Sequence, residues 1–596
     1  MNAFASIVAD YHRRVSQAED VGEKIILAAE WMLRMFVAYY TESRDIPALA
    51  KRAFETRDHG TSLELSRRRL ALYSVGIETL AKELRGAFPE IASDESLWPA
   101  LEARYLPLIE GRYEADLAFA FMNSAKRMIH QGEWQPVEYA FQEIEGRAER
   151  VRAEIVCRFH GENAVDAGTV ARILEIPGFS IPYEDSARDA ALIAARLNET
   201  LESRAQTMIS VEMINAGFFR NRGGYIVGRV VVENESPFPF IVALLNGDNG
   251  IHVDAVLCTE ADAHNIFSST LANFHVTNNH YHELSEFLHG IMPKRPLGLH
   301  YSTIGFNHVG KVAVMNELRN ELVGSDDVLD TAIGYRGTVA IGFSSPRSDY
   351  NLKVIRDKPT ASYKWGRFDG IESVMKKYRR VHEINRTGSM LDNIIYYNLK
   401  LDRSWFNRSL LDELLSEASE TVSLRGDAVI LKHLIVQRRM TPLPVFLESA
   451  SPSEAETAIV NLGDCIKNNA AANIFNKDLD ARNYGVSRFL KVYLYDYDAL
   501  EPFTDVKIRS NEGRVDGEED PPDWFFEDGV VFLPDEIEAG LMIHDRRLRR
   551  LFRDVHGDLL TVEYWQRIQD DLRAGKVPSV RIYPKGRELE PLAESL

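Results

Sequence analysis

Three side chains with oxygen donors lie on loop-like segments in the second half of the chain. They are Asp478, Asn483 and Asp496, in the stretches NIFNKDLDARNYGV and YDYDAL. The separation of 18 residues between the two aspartates leaves room for one tight hairpin. An aspartate can orient an attacking hydroxyl group, and carboxylate and amide oxygens are the ligands that Mg²⁺ prefers. The spacing therefore suits phosphoryl transfer, with Asp478 at the hydroxyl and the other two at the metal.

Asp and Asn alone are also ordinary turn residues, so the assignment of a catalytic function depends on the predicted elements around them. In chain order the pattern predicts a hairpin carrying Lys353, a helix over residues 369–386, a strand in AVILKHLIV and a further helix before the Asp478 loop. Eukaryotic-type protein kinases have this order, and their lysine contacts the nucleotide phosphates. We expect Glu383 to be the carboxylate partner of Lys353, with Glu372 of the same predicted helix as the alternative.

The length of 596 residues is too great for a single core. Residues 1 to about 215 have a helical pattern, with apolar residues at helical spacing over 21–40. YIVGRVVV, FPFIVALLN and IHVDAVLCT then predict a three-stranded antiparallel meander, followed by helix over residues 260–291 and a linker at MPKRPLGLH. We predict an α+β protein: a mainly helical N-terminal domain with a small antiparallel sheet (1–310), then a bilobal kinase-like domain (311–596).

Charge and composition exclude several classes of protein. The formal net charge is −19, whereas nucleic acids and anionic membranes attract basic surfaces. The most apolar early segment, IILAAEWMLRMFVAYY, is too short and too polar to span a bilayer, and no signal-peptide pattern is present. Three scattered cysteines, Cys157, Cys258 and Cys465, provide no disulfide framework. We expect a cytoplasmic protein that binds neither nucleic acid nor membrane.

The chemistry-bearing segments depart from ordinary kinases in three ways. No His-Arg pair precedes Asp478, Tyr497 and Asp498 follow Asp496 where most kinases have Phe-Gly, and the glycine-rich loop reads AIGYRGT. Together with LKVIRDK, LIVQRRMTPL and FFRNRGGYIVGRV, these segments resemble the isocitrate dehydrogenase kinase/phosphatase family of bacteria. The resemblance runs from about residue 205 to the C-terminus, and residues 1–200 share only helical character with the family.

This resemblance implies a regulatory role for the N-terminal domain and a bifunctional enzyme. It would phosphorylate and inactivate isocitrate dehydrogenase at an active-site serine, then remove the phosphate in a nucleotide-dependent reaction. Isocitrate would thereby be divided between the tricarboxylic acid cycle and the glyoxylate bypass. ATP, ADP and Mg²⁺ would be the cofactors, AMP an allosteric effector and isocitrate dehydrogenase the protein partner, with a homodimer as one option for the assembly.

The resemblance also assigns roles to individual residues. It places Asp392, in TGSMLDN, in the active site with Asp478, and it assigns Asp498 to the binding of the metal, together with Asp496, or of a reaction water. Gln437 stands where other members of the family have an acidic residue at the adenine contact. The nucleotide would be held by Lys353 and by the loop residues Ala332, Ile333, Gly334, Tyr335, Arg336, Gly337 and Thr338.

Two other functions stay open on the residues alone. A small-molecule phosphotransferase on the kinase fold would use the same D-x4-N…D set, and a nucleotide sensor would bind ATP without turnover. The large N-terminal domain favours a protein substrate, and the acidic, aromatic segment 514–529 is a candidate docking element for it. His275, His280 and His282 are close in sequence, but without a nearby cysteine or an i, i+4 pair they do not predict a zinc site.

Overall fold

The architecture agrees with the predicted α+β class. A helical N-terminal region surrounds one six-stranded sheet, and a second region contains another six-stranded sheet followed by a mainly helical lobe. The computed structural model describes residues 2–130, 155–161, 164–268, 273–334, 336–362, 368–511, 528–580, 582–584 and 586–589.

Amphipathic helices build most of the N-terminal region and turn their apolar faces toward a shared core. The helix predicted over residues 21–40 is longer, Val21–Glu55, and the side chain of Asp20 caps it by accepting from the Glu23 amide. No helix in the described ranges is long and apolar enough to cross a bilayer. The other helices that precede the main strands are Asn2–Val15, His59–Ala87, Pro89–Ser93, Trp98–Ile109, Ala115–His130, Ala167–Leu174 and Ser186–Ser203.

The N-terminal sheet contains the predicted meander, which is confirmed as the antiparallel strands Gly223–Val232, Phe238–Gly247 and Gly250–Leu257. Two further strands, Val156–His160 and Met208–Arg220, lie where we predicted helix, so that prediction is wrong there. Met208–Arg220 pairs along both edges and is buried on nearly all positions. Its apolar run therefore lacks the alternation of buried and exposed residues that reveals a strand in a sequence.

The helical stretch predicted over residues 260–291 is interrupted. It consists of the helices Glu260–Phe267 and Tyr281–Ile291, with the short strand His275–Val276 between them. That strand pairs with Met208–Arg220, so a partner distant in sequence overrides the local helical pattern.

The segment MPKRPLGLH is partly buried and packed, although its prolines and glycine predict a linker. Arg295 and His300 are fully buried, and Leu297–Thr303 is helical. The next helix, Asn307–Leu322, crosses the predicted boundary at 310/311 and contributes apolar side chains to the core of the second region. The two regions therefore meet through packed helices.

The first lobe of the second region contains the predicted lysine hairpin, confirmed as the antiparallel strands Ala340–Ser344 and Tyr350–Ile355. The predicted strand in AVILKHLIV is also confirmed, as Ala428–Arg438, and it pairs with Tyr350–Ile355. The helix predicted over residues 369–386 is shorter, Ile371–Val381. The remaining strands and helix of this lobe are Asp330–Thr331, Ile394–Asp402, Val422–Arg425 and Arg408–Glu417.

The second lobe is built around the helix Pro452–Ala471. Ser451 and Glu454 form a capping box at its start, as the sequence SPSE predicts. Short strand pairs lie next to this helix and carry the loops of interest. The other helices are Leu443–Ser449, Ile537–Gly540, Arg546–His556 and Val562–Arg573, and the strands are Thr441–Pro442, Ile474–Asn476, Tyr484–Val486, Val492–Leu494, Leu500–Pro502, Lys507–Ile508 and Val531–Phe532.

The last described residues return to the N-terminal sheet. Glu588 forms an antiparallel bridge with Ala255, and the amide of Leu589 donates to the carbonyl oxygen of Asp254 at 3.0 Å. The strand that they join, Gly250–Leu257, is at the edge of the sheet. A segment that follows the kinase-like region in sequence thus covers an edge of the N-terminal region.

Candidate active site

A cavity of about 390 Å³ is lined by residues of both lobes of the second region. Its wall includes Asp478, Asn483, Asp496 and Lys353, which were predicted from three separate segments of the sequence. Tyr335 lies outside the described residues. The other predicted loop residues also line the cavity: Ala332, Ile333, Gly334, Arg336, Gly337 and Thr338.

The loop AIGYRGT owes its shape to two glycines. Gly334 has a φ of +124°, which residues with a side chain rarely adopt. A Cβ atom on Gly337 would lie 2.3 Å from the carbonyl oxygen of Ala340, so the backbone turns too tightly there for any side chain. These glycines let the backbone approach a ligand closely, as phosphate-binding loops require.

Ion pairs anchor this loop to the helix Arg408–Glu417. Arg336 Nη2 lies 2.8 Å from Glu413 Oε1 and 2.9 Å from Glu417 Oε1. The buried Arg356 pairs with the same Glu413 at 3.0 Å. The Arg336 side chain is mostly exposed, so its own pairs contribute little stability, but they fix the position of the loop beside the cavity.

Two asparagine side chains hold the backbone at Asp478. Asn476 accepts from the Asp478 amide at 3.1 Å and donates to the Asp478 carbonyl oxygen at 2.8 Å. Asn483 donates to the same carbonyl oxygen at 2.9 Å. This function of Asn476, at the position next but one before Asp478, was not predicted from the sequence. An asparagine two residues before a loop aspartate is a turn signal that could have indicated it.

Lys353 is buried at the cavity wall and held by two tyrosines. Its Nζ donates to the carbonyl oxygen of Tyr495 at 2.9 Å and lies 4.7 Å from the centre of the Tyr495 ring and 5.9 Å from that of Tyr378. Burial lowers the pKa of the Lys353 ammonium group, and the carboxylates of Asp496 and Asp498 oppose that shift. The lysine can therefore contact a phosphate without reaching far into the cavity.

Glu383 does not lie beside Lys353, in contrast to our prediction. It follows the end of the helix Ile371–Val381 and lines a different cavity of about 340 Å³. The helix ends early because the chain turns toward the N-terminal region, where the Asn385 side chain donates to the carbonyl oxygen of Leu63 at 2.9 Å. This contact between distant segments could not be read from the helical pattern.

Tyr378 takes the place that we expected an acid to occupy. It is fully buried on the helix Ile371–Val381, and its hydroxyl group donates to Asp496 Oδ1 at 3.1 Å. Burial and the charges of Asp496 and Asp498 raise the pKa of the Tyr378 phenol well above its usual value, so it stays a donor. The alternative acid, Glu372, is exposed and pairs with Arg379.

Asp498 is close to the other two aspartates, but it is not among the residues that line the cavity. Burial, followed by the negative charges of Asp496 and Asp478, raises the pKa of Asp498 to about 7. Lys377 donates to the backbone carbonyl oxygen of Asp498 at 2.6 Å. The three carboxylates repel one another, and a cation between them would relieve that repulsion.

The donor set fits a magnesium ion that is bound together with nucleotide phosphates. Mg²⁺ commonly takes one or two protein carboxylates and fills its other positions with water and phosphate oxygens. Asp496 and Asn483 provide such a partial set at the cavity wall. In the described part of the chain, no group of three or more His, Cys, Asp or Glu side chains is arranged to hold a metal ion.

The histidines near residue 280 are engaged with protein groups. His275 lies 3.1 Å from Ser66 Oγ, and His282 Nδ1 lies 2.9 Å from the Tyr301 hydroxyl oxygen. These hydrogen bonds give the rings structural partners in the N-terminal region.

Asp392 is not brought to the cavity wall. It is 1% exposed, and its Oδ2 lies 2.6 Å from Nη2 of Arg295. Burial raises the pKa of the Asp392 carboxyl group, and the Arg295 charge opposes this. Its neighbour Leu391 does line the cavity. Asp392 can therefore affect a bound ligand only through other residues.

Gln437 lies in the cavity wall and is 2% exposed. Neither its amide oxygen nor its amide nitrogen has a hydrogen-bond partner among the described residues. An unpaired buried polar group costs about 1–3 kcal/mol, so this side chain is prepared to bind a polar ligand. One donor and one acceptor side by side suit the edge of a purine base.

The predicted docking segment 514–529 lies outside the described residues, apart from Asp528 and Gly529. Its function as a docking element stays a prediction.

Comparisons with known proteins match nearly the whole chain. The model of the isocitrate dehydrogenase kinase/phosphatase (AceK) regulatory domain matches residues 29–326, and that of the kinase domain matches residues 327–585. A protein of Rhodopseudomonas palustris (strain HaA2) named isocitrate dehydrogenase kinase/phosphatase is 50% identical over 581 residues, 96% of this chain and 95% of that relative. A protein of the same name from Anaeromyxobacter sp. (strain Fw109-5) is 31% identical over 562 residues, 93% and 96% of the two chains.

These matches extend what the sequence analysis proposed. They include most of residues 1–200, for which the resemblance was limited to helical character. The two family models meet between residues 326 and 327, after the helix Asn307–Leu322, whereas we placed the boundary at 310/311.

Proposed function

The chain belongs to the isocitrate dehydrogenase kinase/phosphatase family, and we propose that it transfers phosphate to and from a serine of isocitrate dehydrogenase in one cavity. The observation that carries the proposal is the presence of Asp478, Asn483, Asp496 and Lys353 in the same cavity wall. These residue types supply hydroxyl orientation, metal binding and phosphate contact, which are the needs of phosphoryl transfer from ATP.

In the kinase direction, Asp478 accepts a hydrogen bond from the serine hydroxyl group and takes its proton as the oxygen attacks the γ-phosphorus atom. The bond between the γ-phosphorus and the oxygen that leaves with ADP breaks, and phosphoserine forms. Asn476 and Asn483 keep the Asp478 backbone in place for this task. Lys353 and the backbone of the loop 332–338 bind the phosphates. Asn483 and Asp496 would hold a magnesium ion, which would supply positive charge against the charge that develops on the phosphates.

In the phosphatase direction the same residues hold the phosphoserine, and water or ADP accepts the phosphoryl group. Asp478, protonated from solvent before this direction begins, donates its proton to the serine oxygen as the phosphorus–oxygen bond to serine breaks, and an attacking water releases its own proton to solvent. The shared machinery explains how one cavity can serve both directions, with bound ADP or ATP present in each. AMP is the proposed effector that favours the phosphatase direction.

Gln437 is the proposed contact for the adenine base. Its buried amide group has an unused donor and an unused acceptor at the cavity wall. A neutral amide group at this position can pair with the purine edge.

A protein substrate is favoured over a small molecule by the extent of the family match, which includes the large N-terminal region. With isocitrate dehydrogenase as the substrate, the enzyme would act in the cytoplasm. It would control the division of isocitrate between the tricarboxylic acid cycle and the glyoxylate bypass.

The proposal is tested by incubating the protein with isocitrate dehydrogenase and Mg-ATP. We expect the dehydrogenase to lose activity and to gain one phosphoserine, detected by mass spectrometry. Addition of AMP should reverse both changes. Asp478→Ala should abolish both directions. A variant that keeps wild-type phosphatase activity would contradict the shared cavity, and an unmodified dehydrogenase despite ATP binding would contradict the substrate.

A further inference from the structure

Arg295 joins the N-terminal region to the kinase-like region in the interior of the protein. It belongs to the part that matches the regulatory-domain model, and it is fully buried. Its Nη2 lies 2.6 Å from Asp392 Oδ2 and also donates to the carbonyl oxygen of Leu299 and to the Thr303 hydroxyl oxygen, both at 3.2 Å. The guanidinium group is thus fixed on the helix Leu297–Thr303 and holds Asp392 from outside the kinase-like region.

The neighbours of Asp392 contact the segment that contains the metal-binding aspartates. The amide of Leu391 donates to the carbonyl oxygen of Leu494 at 2.9 Å. The carbonyl oxygen of Leu391 accepts from the hydroxyl group of Tyr497 at 2.5 Å. Tyr497 is fully buried and lies in sequence between Asp496 and Asp498, so its position limits where both carboxylates can point.

A second contact reaches the same aspartates from the other side of Asp392. The side chain of Asn393 donates to the carbonyl oxygen of Tyr378 at 2.9 Å, and the Tyr378 hydroxyl group donates to Asp496 Oδ1 at 3.1 Å. The rings of Tyr378 and Tyr497 lie 5.1 Å apart between their centres. Residues 391–393 therefore hold the Asp496 segment through two tyrosines.

We propose that Arg295 is a positioning residue for the metal-binding aspartates, acting through Asp392 on Asp496 and Asp498. The inference rests on the proposed function, because it takes Asp496 and Asp498 as metal ligands. It also gives Asp392 a task that agrees with its burial: the carboxylate connects the N-terminal region to the metal site and touches no substrate. Groups that orient metal ligands commonly affect metal affinity by tenfold or more when they are removed.

The experiment measures ATP binding by calorimetry at a series of Mg²⁺ concentrations, so it does not depend on isocitrate dehydrogenase. Arg295→Gln and Asp392→Asn should each raise the Mg²⁺ concentration for half-maximal ATP affinity by about tenfold. Arg295→Lys, which retains the charge, should restore part of that loss. The double variant should shift the requirement no further than the worse single variant, because both remove one contact.

Glu212→Gln is the matched control for loss of a buried ion pair. Glu212 is 4% exposed and lies 2.6 Å from Arg229 within the N-terminal sheet. Glu212 has no part in the contacts from Arg295 to Asp496. The Mg²⁺ requirement of the Glu212→Gln variant should therefore equal that of the wild type. A shift as large as that of Asp392→Asn would show a general effect of destabilisation and would overturn the inference.

Tyr497→Phe keeps the test decisive should the Arg295 and Asp392 variants fail to fold. It removes the hydroxyl group that binds Leu391 and leaves the ring in place. Its control is Tyr396→Phe, since Tyr396 is equally buried and donates to the carbonyl oxygen of Lys311 at 2.5 Å. We expect a raised Mg²⁺ requirement for Tyr497→Phe alone. A wild-type Mg²⁺ requirement in Tyr497→Phe overturns the inference, whereas wild-type protein that does not bind Mg-ATP overturns the proposed function.

Discussion

The cluster of Asp478, Asp496 and Asp498 and the single buried Asp392 are in different electrostatic situations. Asp478, Asp496 and Asp498 lie near one another, and their mutual repulsion contributes to a pKa of about 7 for Asp498. Asp392 is more deeply buried, yet an arginine from the other region lies 2.6 Å from it. The like charges of the first group oppose one another, and a bound cation would relieve that repulsion. The second has an opposite charge beside it within the chain.

This difference distinguishes a cluster that suits ligand binding from an ion pair that stabilises the fold. Carboxylates held close together repel one another. Such a cluster therefore suits a site where a cation binds. A paired buried charge holds elements in place. Family resemblance placed Asp392 and Asp478 in one active site, and the structure gives them different surroundings.

The largest contrast is expected in catalysis. Asp478→Ala should lower the rate of phosphorylation of isocitrate dehydrogenase by about a thousandfold, because it removes the proton acceptor for the serine hydroxyl group. ATP affinity, measured by calorimetry, should stay close to that of the wild type. A rate within tenfold of the wild type would show that the proton leaves by another path.

The next effect concerns stability, where the variant of Asp392 should be affected more than the variant of Asp478. Asp392→Ala should lower the free energy of unfolding by about 3–5 kcal/mol, because it leaves the Arg295 guanidinium buried without its carboxylate. Asp478→Ala should cost little, since its carboxylate lies among like charges. Urea unfolding followed by circular dichroism compares the two. Equal midpoints for both variants would contradict the distinction.

A smaller effect should appear in the pH dependence of stability. The folded-state pKa of Asp498 is about 7, above its ordinary value of 3.8, so the folded protein keeps a proton that the unfolded chain has lost. Its contribution to stability is fully present below the unfolded value and is lost as the pH rises through about 7. The unfolding midpoint of Asp498→Asn should therefore fall less than that of the wild type between about pH 5 and about pH 8. Parallel curves of unfolding midpoint against pH for the two proteins would contradict a raised pKa of Asp498.

The smallest effect is expected at the acid that the sequence placed with Lys353. Glu383→Gln should leave ATP affinity unchanged, because Glu383 lines a separate cavity. Tyr378→Phe, at the position that faces Asp496, should weaken Mg²⁺-dependent ATP binding. Calorimetry measures the ATP affinity of both variants in the presence of Mg²⁺. A lower affinity in Glu383→Gln alone would support the original prediction that Glu383 is the partner of Lys353.

The sequence was most informative where a few neighbouring residues determine both structure and chemistry. The Asp478 loop, the lysine hairpin and the AIGYRGT loop depend on local spacing and on glycine or asparagine in turns. They could be predicted from single segments and a known chain order. The three-stranded meander has the same local character.

Contacts between distant segments were beyond the reach of those patterns. Arg295 and Asp392 are 97 residues apart, and nothing near either one indicates the other. The strand Met208–Arg220 was hidden by burial on both faces, and Glu383 was misplaced because the chain turns toward Leu63. In each case a tertiary contact overrides the local pattern.

The bridge between Glu588 and Ala255 has a consequence for synthesis on the ribosome. The strand Gly250–Leu257 is translated hundreds of residues before the segment that covers its edge. Residues 182–184 pair with this edge near Ile251, but until the later segment emerges the edge around Ala255 is open, and open edges invite pairing with other chains. Completion of the first sheet therefore waits for translation of the entire kinase-like region.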